Sequence, residues 1–259
     1  MKNAHTIVKE IKEKGLSIVK NYLTPKECRE CIEYFEKIYL KRKKNKEYIG
    51  STNYQILENY FIENPKFLFL IHSKLIKKVM RELIDRDYVL ISPSAKNRKI
   101  QKGKEVRTKT SGIGWHNDTR YISKKAIKPS MTYMTTIILE NFDKDTGATE
   151  YVPYSHLKSV KPKRNGKYKF KQFVAPAGSI IFWDSSLWHR VGKESKKSRW
   201  SIFHMYGPWF VKPYHQFYKM FQRKVFSKFS PEIRQLLHFD SIPPRDQNER
   251  MATLKRVGL

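Results

Sequence analysis

Trp115-His116-Asn117-Asp118 is the stretch from which the chain is best read. On an extended strand, residues two apart share a face, so His116 and Asp118 aim an imidazole and a carboxylate at one point. One ion can sit there, with a further ligand still to be supplied. The surrounding sequence is strand-like. Residues 131–139 (Met-Thr-Tyr-Met-Thr-Thr-Ile-Ile-Leu) are rich in β-branched side chains and long enough to cross a core. Residues 143–147 form a turn, and 148–153 a strand. Pro176-Ala177-Gly178-Ser179 is a turn signal before the buried strand Ile180-Ile181-Phe182-Trp183, and residues 199–206 form the last clear strand. Short strands separated by turns indicate a mainly β fold, an antiparallel barrel or jelly roll with flanking helices. Its β core is expected over about residues 86–210.

The flanks read differently. Residues 5–14 form a short helix that Gly15 stops, and Leu16-Ser17-Ile18-Val19-Lys20 alternates like a strand. Thr24-Pro25-Lys26-Glu27 opens a second helix: Thr24 caps, Pro25 takes the first helical position and Glu27 completes a capping box. That helix is expected to reach about Lys41, with residues 41–46 as a solvated basic exit. Residues 54–61 are ambiguous. Asn64-Pro65 opens a helix expected to run from Lys66 to Ile84, with Phe67, Leu70, Ile71, Leu75, Val79 and Leu83 at helical spacing. Residues 87–92 read as a strand. Residues 211–259 return to helical spacing. With no internal repeat or low-complexity linker, one domain over 1–259 is expected, helical over 1–85 and 211–259.

The composition bounds the function classes. Of 259 residues, 39% are hydrophobic and 14% aromatic, which excludes a disordered chain. No apolar run is long enough to span a bilayer, and the charged N-terminal stretch lacks the features of a signal peptide. A cytoplasmic protein is expected. The two cysteines, Cys28 and Cys31, fall on one helix without the context of a redox or metal motif, and read as ordinary thiols. The charge is unusual: 53 Lys and Arg against 24 Asp and Glu, a net +29. Such a field attracts phosphates, nucleic acid or anionic lipid, although lysine scattered along the whole chain is equally compatible with compositional bias. Two basic loops stand out, residues 95–109 and 158–171, each with seven basic residues. Where these line the mouth of a barrel they favour an anionic substrate; otherwise they are solvated surface.

The third ligand is expected in Ser185-Ser186-Leu187-Trp188-His189-Arg190. Two His and one carboxylate, His116, Asp118 and His189, on one face of an octahedral ion leave the remaining positions open, the set expected of a non-haem Fe(II) oxygenase. Arg199 follows ten residues on (199 − 189). A chain returning on the next strand places it deep in the same barrel, where a guanidinium binds a carboxylate bidentately. Ser201 shares its face. A chelating keto-acid held by Arg199 would fill two metal positions and leave one for O2. Tyr133 and Thr135 are weaker candidates for the keto-acid or substrate, since the alternation in that strand supports either face. His204 falls on the face opposite Arg199. Without His189 and Arg199, an ordinary hydrogen-bonded pair would be the better reading of His116 and Asp118.

Taken together the chain resembles the phytanoyl-CoA dioxygenase-like branch of the Fe(II)/2-oxoglutarate oxygenases. The resemblance rests on Gly15 to Pro25, on Trp115-His116-Asn117-Asp118, on Gly147-Ala148-Thr149-Glu150-Tyr151-Val152-Pro153-Tyr154-Ser155-His156, on Ala177 to Asp184, and on His189 with Arg199 and Ser201, in the family's order. It implies a double-stranded β-helix (jelly-roll, cupin-like) core, Fe(II), 2-oxoglutarate and O2, with succinate and CO2 as by-products. Tyr154 departs from the pattern, standing where the family usually has Gly. Related halogenases lack the carboxylate ligand; Asp118 is present, which implies hydroxylation. The nucleic-acid demethylating branch carries a second Arg six residues after the clamp, where this chain has Met205. The expected function is hydroxylation of a small, anionic metabolite. The alternatives are a nucleic-acid- or anionic-membrane-binding protein on the same fold, or an oxygenase acting on nucleic acid. Fold alone does not choose a substrate.

Overall fold

The computed structural model describes residues 2–51, 54–98, 114–119, 130–192, 197–222, 225, 227–239 and 245–256. Its helices are α1 (Ala4–Lys14), α2 (Pro25–Lys44), α3 (Lys74–Leu83), α4 (Phe217–Met220), α5 (Pro231–Leu236) and α6 (Gln247–Arg256). Its strands are β1 (Leu16–Val19), β2 (Gly50–Ser51), β3 (Tyr54–Glu58), β4 (Val89–Arg98), β5 (Tyr133–Ile138), β6 (Glu150–Tyr151), β7 (Lys171–Gln172), β8 (Ile180–Asp184), β9 (His189–Arg190) and β10 (Arg199–Gly207). Among these, no helix is long and apolar enough to cross a membrane.

The local signals act as their chemistry dictates. Asn3 caps α1, and Gly15 ends it with φ 86°, a left-handed turn that favours glycine. A Cβ at Gly15 would also come within 2.6 Å of His156 Nδ1, so the turn is fixed by contact as well as by φ. Thr24 and Glu27 form the capping box of α2. That helix runs past Lys41 to Lys44 because Arg42 is not solvated. It is buried, ion-paired to Glu63 at 2.7 Å, and donates to the Glu58 carbonyl. The single helix expected over residues 66–84 is two elements: a 3-10 turn (Pro65–Leu70) and α3, divided where the Ser73 side chain caps the Ile76 amide. Cys28 and Cys31 are buried free thiols, as ordinary core residues would be.

A seven-stranded antiparallel sheet runs β1-β8-β5-β10-β4-β3-β2, and a three-stranded antiparallel sheet runs β7-β6-β9. Helices α1 to α5 cover one face of the large sheet. That interface holds Ile7, Phe35, Leu70, Val79, Phe182, Trp200 and Tyr206 in one apolar cluster. Trp200 Nε1 donates to Glu36 of α2 at 2.8 Å, tying sheet to helix. The other face carries Ile91, Met134, Ile181, Trp183 and Met205, which meet Ala148, Phe173 and Leu187 in a second cluster beside the small sheet. This is the two-sheet core of a double-stranded β-helix, with helices stacked outside it.

β10 shows how one strand serves both clusters. Trp200, Ile202, His204 and Tyr206 face the helices, while Arg199, Ser201, Phe203 and Met205 face the small sheet. β4 differs from the sequence expectation. It begins at Val89 and continues to Arg98, so Lys96 and Arg98 belong to a central strand rather than to a basic loop. The remainder of that loop, residues 99–109, lies outside the described residues. The second basic loop is non-regular up to Lys171 and crosses the metal-motif segment: Trp115 N donates to Arg164 O at 2.9 Å, and Tyr168 packs against Trp115 and Trp188.

Candidate active site

His116 and His189 are brought together by backbone. Each amide donates to the other's carbonyl, at 3.0 and 2.9 Å, an antiparallel bridge that extends the small sheet. Asp118 N donates to Ser185 O at 2.8 Å, fixing the third residue against the turn that precedes β9. The imidazole centroids stand 4.2 Å apart. Asp118 Oδ1 lies 3.7 Å from His116 Nε2, and Oδ2 lies 3.4 Å from His189 Nε2. One ligand atom from each of the three falls within 4.8 Å of the others.

The hydrogen bonds behind the rings fix their tautomers. His116 Nδ1 bonds Gly114 O and His189 Nδ1 bonds Leu187 O, each at 2.9 Å. A carbonyl oxygen only accepts, so both Nδ1 atoms carry the proton and both Nε2 lone pairs face the shared point. Burial, reinforced by nearby His189, lowers the His116 pKa to about 4. Burial alone would raise the Asp118 pKa, but His189 and His116 outweigh it and hold the carboxyl well below its usual range. A neutral His116 and an ionised Asp118 are the protonation states a divalent cation requires of those two ligands. The donor set fits Fe(II).

Arg199 is buried on the same side of the large sheet. Nε donates to Thr146 O at 2.7 Å, Nη2 to Gly147 O at 2.8 Å and Nη1 to Ser201 Oγ at 3.4 Å, and the guanidinium lies 3.9 Å from the Phe142 ring centroid. Among the described residues no carboxylate reaches it at salt-bridge distance. Burial and then the neighbouring Arg98, which is also buried, lower its pKa to about 9. Buried charges normally carry a partner. A dicarboxylate arriving here would supply one, so the residues present fit 2-oxoglutarate.

The cavity beside the triad measures about 550 Å³. Met134, Trp183, Phe203 and Ile56 form apolar walls, Tyr48, Tyr54 and Thr149 add hydroxyls, and Lys96 and Arg190 bring charge. Arg199 and Ser201 stand behind this wall rather than in it. Tyr133 and Thr135 do not reach the cavity at all. Thr135 Oγ1 bonds His204 Nδ1 at 3.1 Å on the helix side, and Tyr133 packs into the helix-side cluster. Met134 takes the inward position between them. The strand is buried on both faces, which erases the alternation that would have told them apart. His204 lies opposite Arg199 as expected, held between Thr135 and Tyr60 OH (2.8 Å).

Met134, Phe203 and Lys96 are among the cavity residues that sequence reasoning missed, as are Ile56, Tyr48, Tyr54 and Thr149. Period-2 extension from Arg199 through Ser201 would have found Phe203, and carrying β4 beyond Ser92 would have found Lys96.

Fold and site define a double-stranded β-helix protein of the Fe(II)/2-oxoglutarate-dependent oxygenase class. Within it the chain belongs to the family described as phytanoyl-CoA dioxygenase (PhyH), whose model matches residues 11–201. HygX from Streptomyces hygroscopicus, solved with nickel, 2-oxoglutarate and hygromycin B, is similar with a TM-score of 0.62 at 10% identity, covering 81% of this chain and 89% of that one. The α-ketoglutarate-dependent epimerase SnoN from nogalamycin biosynthesis gives 0.56 at 16% identity, over 79% and 83%. The non-heme monooxygenase ThoJ gives 0.62 at 14%, over 81% and 80%. At such identities these likenesses concern the fold. An uncharacterized protein of Mycobacterium tuberculosis, Rv1501, is 38% identical over 78 residues, 29% of this chain. The chain spans only 28% of that relative's length.

Proposed function

We propose that this protein hydroxylates a small, anionic metabolite, consuming 2-oxoglutarate and O2 and releasing succinate and CO2. The observation that carries the reading is the triad: two Nε2 lone pairs and one carboxylate converge, with both Nδ1 protons tied to backbone carbonyls. Fe(II) held there with 2-oxoglutarate supplies the O2-dependent oxidation of a C–H bond. The chain's own residues do the rest. His116, Asp118 and His189 hold the metal. Arg199, supported by Ser201, binds the far carboxylate of 2-oxoglutarate and thereby orients its keto-acid end. Met134, Trp183 and Phe203 present an apolar wall beside the metal and exclude water from the substrate face.

A cavity of about 550 Å³ matches a small molecule rather than a polymer. HygX holds hygromycin B and SnoN holds nogalamycin RO in their solved structures, which supports small-molecule chemistry on this fold. The test is a screen of anionic metabolites with Fe(II), 2-oxoglutarate and ¹⁸O₂. Stoichiometric succinate and a product gaining one ¹⁸O atom are expected. Turnover coupled only to DNA or RNA, or none with any substrate while 2-oxoglutarate is bound, would overturn it.

A further inference from the structure

Among the described residues the cavity carries two Lys or Arg side chains, Lys96 and Arg190, and Arg190 is ion-paired. Arg190 Nε donates to Glu150 Oε2 at 2.6 Å, and its guanidinium lies 4.2 Å from the Trp115 ring centroid. Lys96 has a ring contact but, among the described residues, no such ion pair. It projects from the middle of the large sheet, paired in register with Ser201 on one side and Ile56 on the other. Its Nζ stands 4.7 Å from the Phe203 ring centroid, inside the cavity that His116, Asp118 and His189 also line. Among the described residues no carboxylate lies within salt-bridge distance of it. Burial works against the ammonium charge, yet Tyr54, Glu58 and Asp118 act on it from farther off and keep the pKa above its ordinary value. A charged ammonium in the cavity, with no carboxylate in salt-bridge contact among the described residues, can pair with an anionic group that enters beside the metal ligands.

Two cationic positions therefore follow one another along one face of the sheet. Arg98 beside Arg199 marks the keto-acid end, and Lys96 lies one inward-facing position further along β4, toward Phe203.

We infer that Lys96 anchors the substrate: its ammonium pairs with a carboxylate or phosphate oxygen of the substrate, while Phe203, Met134 and Ile56 hold the adjoining apolar portion beside the metal ligands. This rests on the triad being the metal site. It narrows the substrate to a small molecule with one oxyanion close to the oxidised carbon. Lysine is a single point charge, suited to one anionic group and not to the row of phosphates that nucleic acid presents.

The probe is inorganic phosphate, with ¹³C-acetate as its carboxylate counterpart, added to protein loaded with Mn(II) and saturating 2-oxoglutarate. Paramagnetic relaxation of the ³¹P or ¹³C nucleus reports binding near the metal without turnover. Saturable relaxation is expected in the wild type, and the tighter probe names the anionic group. Lys96→Met is expected to weaken it about tenfold or more, as loss of a charge-assisted contact should. Lys96→Arg should retain part of it, and Lys169→Met, at an exposed position on the second basic loop, should leave it unchanged. The 2-oxoglutarate affinity of Lys96→Met, read from the Fe(II) charge-transfer band, should stay within about twofold of wild type.

Relaxation that is equal in wild type and Lys96→Met overturns the inference. So does loss of 2-oxoglutarate affinity in Lys96→Met, which would move Lys96 into the cofactor site. A Glu58→Gln variant that destabilises the fold as much as Lys96→Met, with phosphate relaxation intact in both, would reduce Lys96 to a structural partner of Glu58 and also overturn it. Lys96-dependent relaxation in a protein that shows no 2-oxoglutarate band would leave the anchor standing while the cofactor reading falls.

Discussion

His116 and His189 exchange both backbone hydrogen bonds, at 3.0 and 2.9 Å, so the two candidate nitrogen ligands are positioned by a β-bridge in which neither side chain takes part. His116→Ala and His189→Ala are therefore expected to fold normally while Fe(II) or Mn(II) affinity falls by about 100-fold or more, beyond what outer-shell losses cause. Metal titration by calorimetry, with far-UV circular dichroism as the folding control, checks this. Retention of wild-type metal affinity would contradict the ligand assignment.

Arg199 meets carbonyl and hydroxyl oxygens but no carboxylate at salt-bridge distance among the described residues. Arg199→Met should leave metal affinity intact and weaken 2-oxoglutarate binding by about 10- to 100-fold, the range for a charge-assisted contact. Arg199→Lys should not restore it, because an ammonium cannot reproduce the planar fork. Titration of 2-oxoglutarate into each Fe(II)-loaded variant gives the comparison. The same substitutions should also cost stability, since the Thr146 and Gly147 carbonyls lose buried donors.

His204 is fully buried between Tyr60 and Thr135, and burial lowers its pKa to about 3. The unfolded chain, with an ordinary histidine pKa near 6.5, binds this proton first as pH falls. The His204 contribution to folding stability should thus be fully present above about pH 6.5 and decline below it, with a limiting slope of about 1.4 kcal/mol per pH unit. Urea unfolding at pH 7, 6 and 5 reads the slope. His204→Asn should be less stable at pH 7 but show a flatter pH dependence; an unchanged slope would contradict the assignment.

Tyr154 holds φ 60° at an exposed turn, the left-handed region where the family usually has Gly. That conformation costs a non-glycine residue about 1–2 kcal/mol, against about 0.4–1 kcal/mol for the added chain entropy of a glycine in the unfolded state. Tyr154→Gly should therefore stabilise slightly, by under about 1 kcal/mol. Gly15→Ala should do the reverse and lose about 2 kcal/mol or more, because the left-handed cost adds to a contact 2.6 Å from His156 Nδ1. Thermal melts of the two variants test both signs.

What the sequence disclosed, and what it hid, follows from how each strand is buried. Spacing alone placed His116 with Asp118, and Arg199 with Ser201 and opposite His204, because extended backbone alternates strictly. The same rule failed for Tyr133 and Thr135: β5 is buried on both faces and offers no polar side to set its phase. Lys96 stayed hidden because the charge of residues 95–109 reads as a basic loop, which ends the strand at Ser92. The structure accommodates Pro93 opposite His204, with a register shift at Met205 and Tyr206 immediately beyond. The unbroken apolar spacing over residues 66–84 predicts one continuous helix; Ser73 divides it through a side-chain cap that periodicity does not register.

The most direct test of the central claim is anaerobic. Fe(II) and then 2-oxoglutarate are added to the purified protein, and the visible spectrum is followed for the metal-to-ligand charge-transfer band of a chelated keto-acid. The band should appear in the wild type, vanish in His116→Ala at any 2-oxoglutarate concentration, and return in Arg199→Met only at much higher 2-oxoglutarate. A wild type that binds Fe(II) and 2-oxoglutarate without the band, or a band that persists in His116→Ala, would contradict the account.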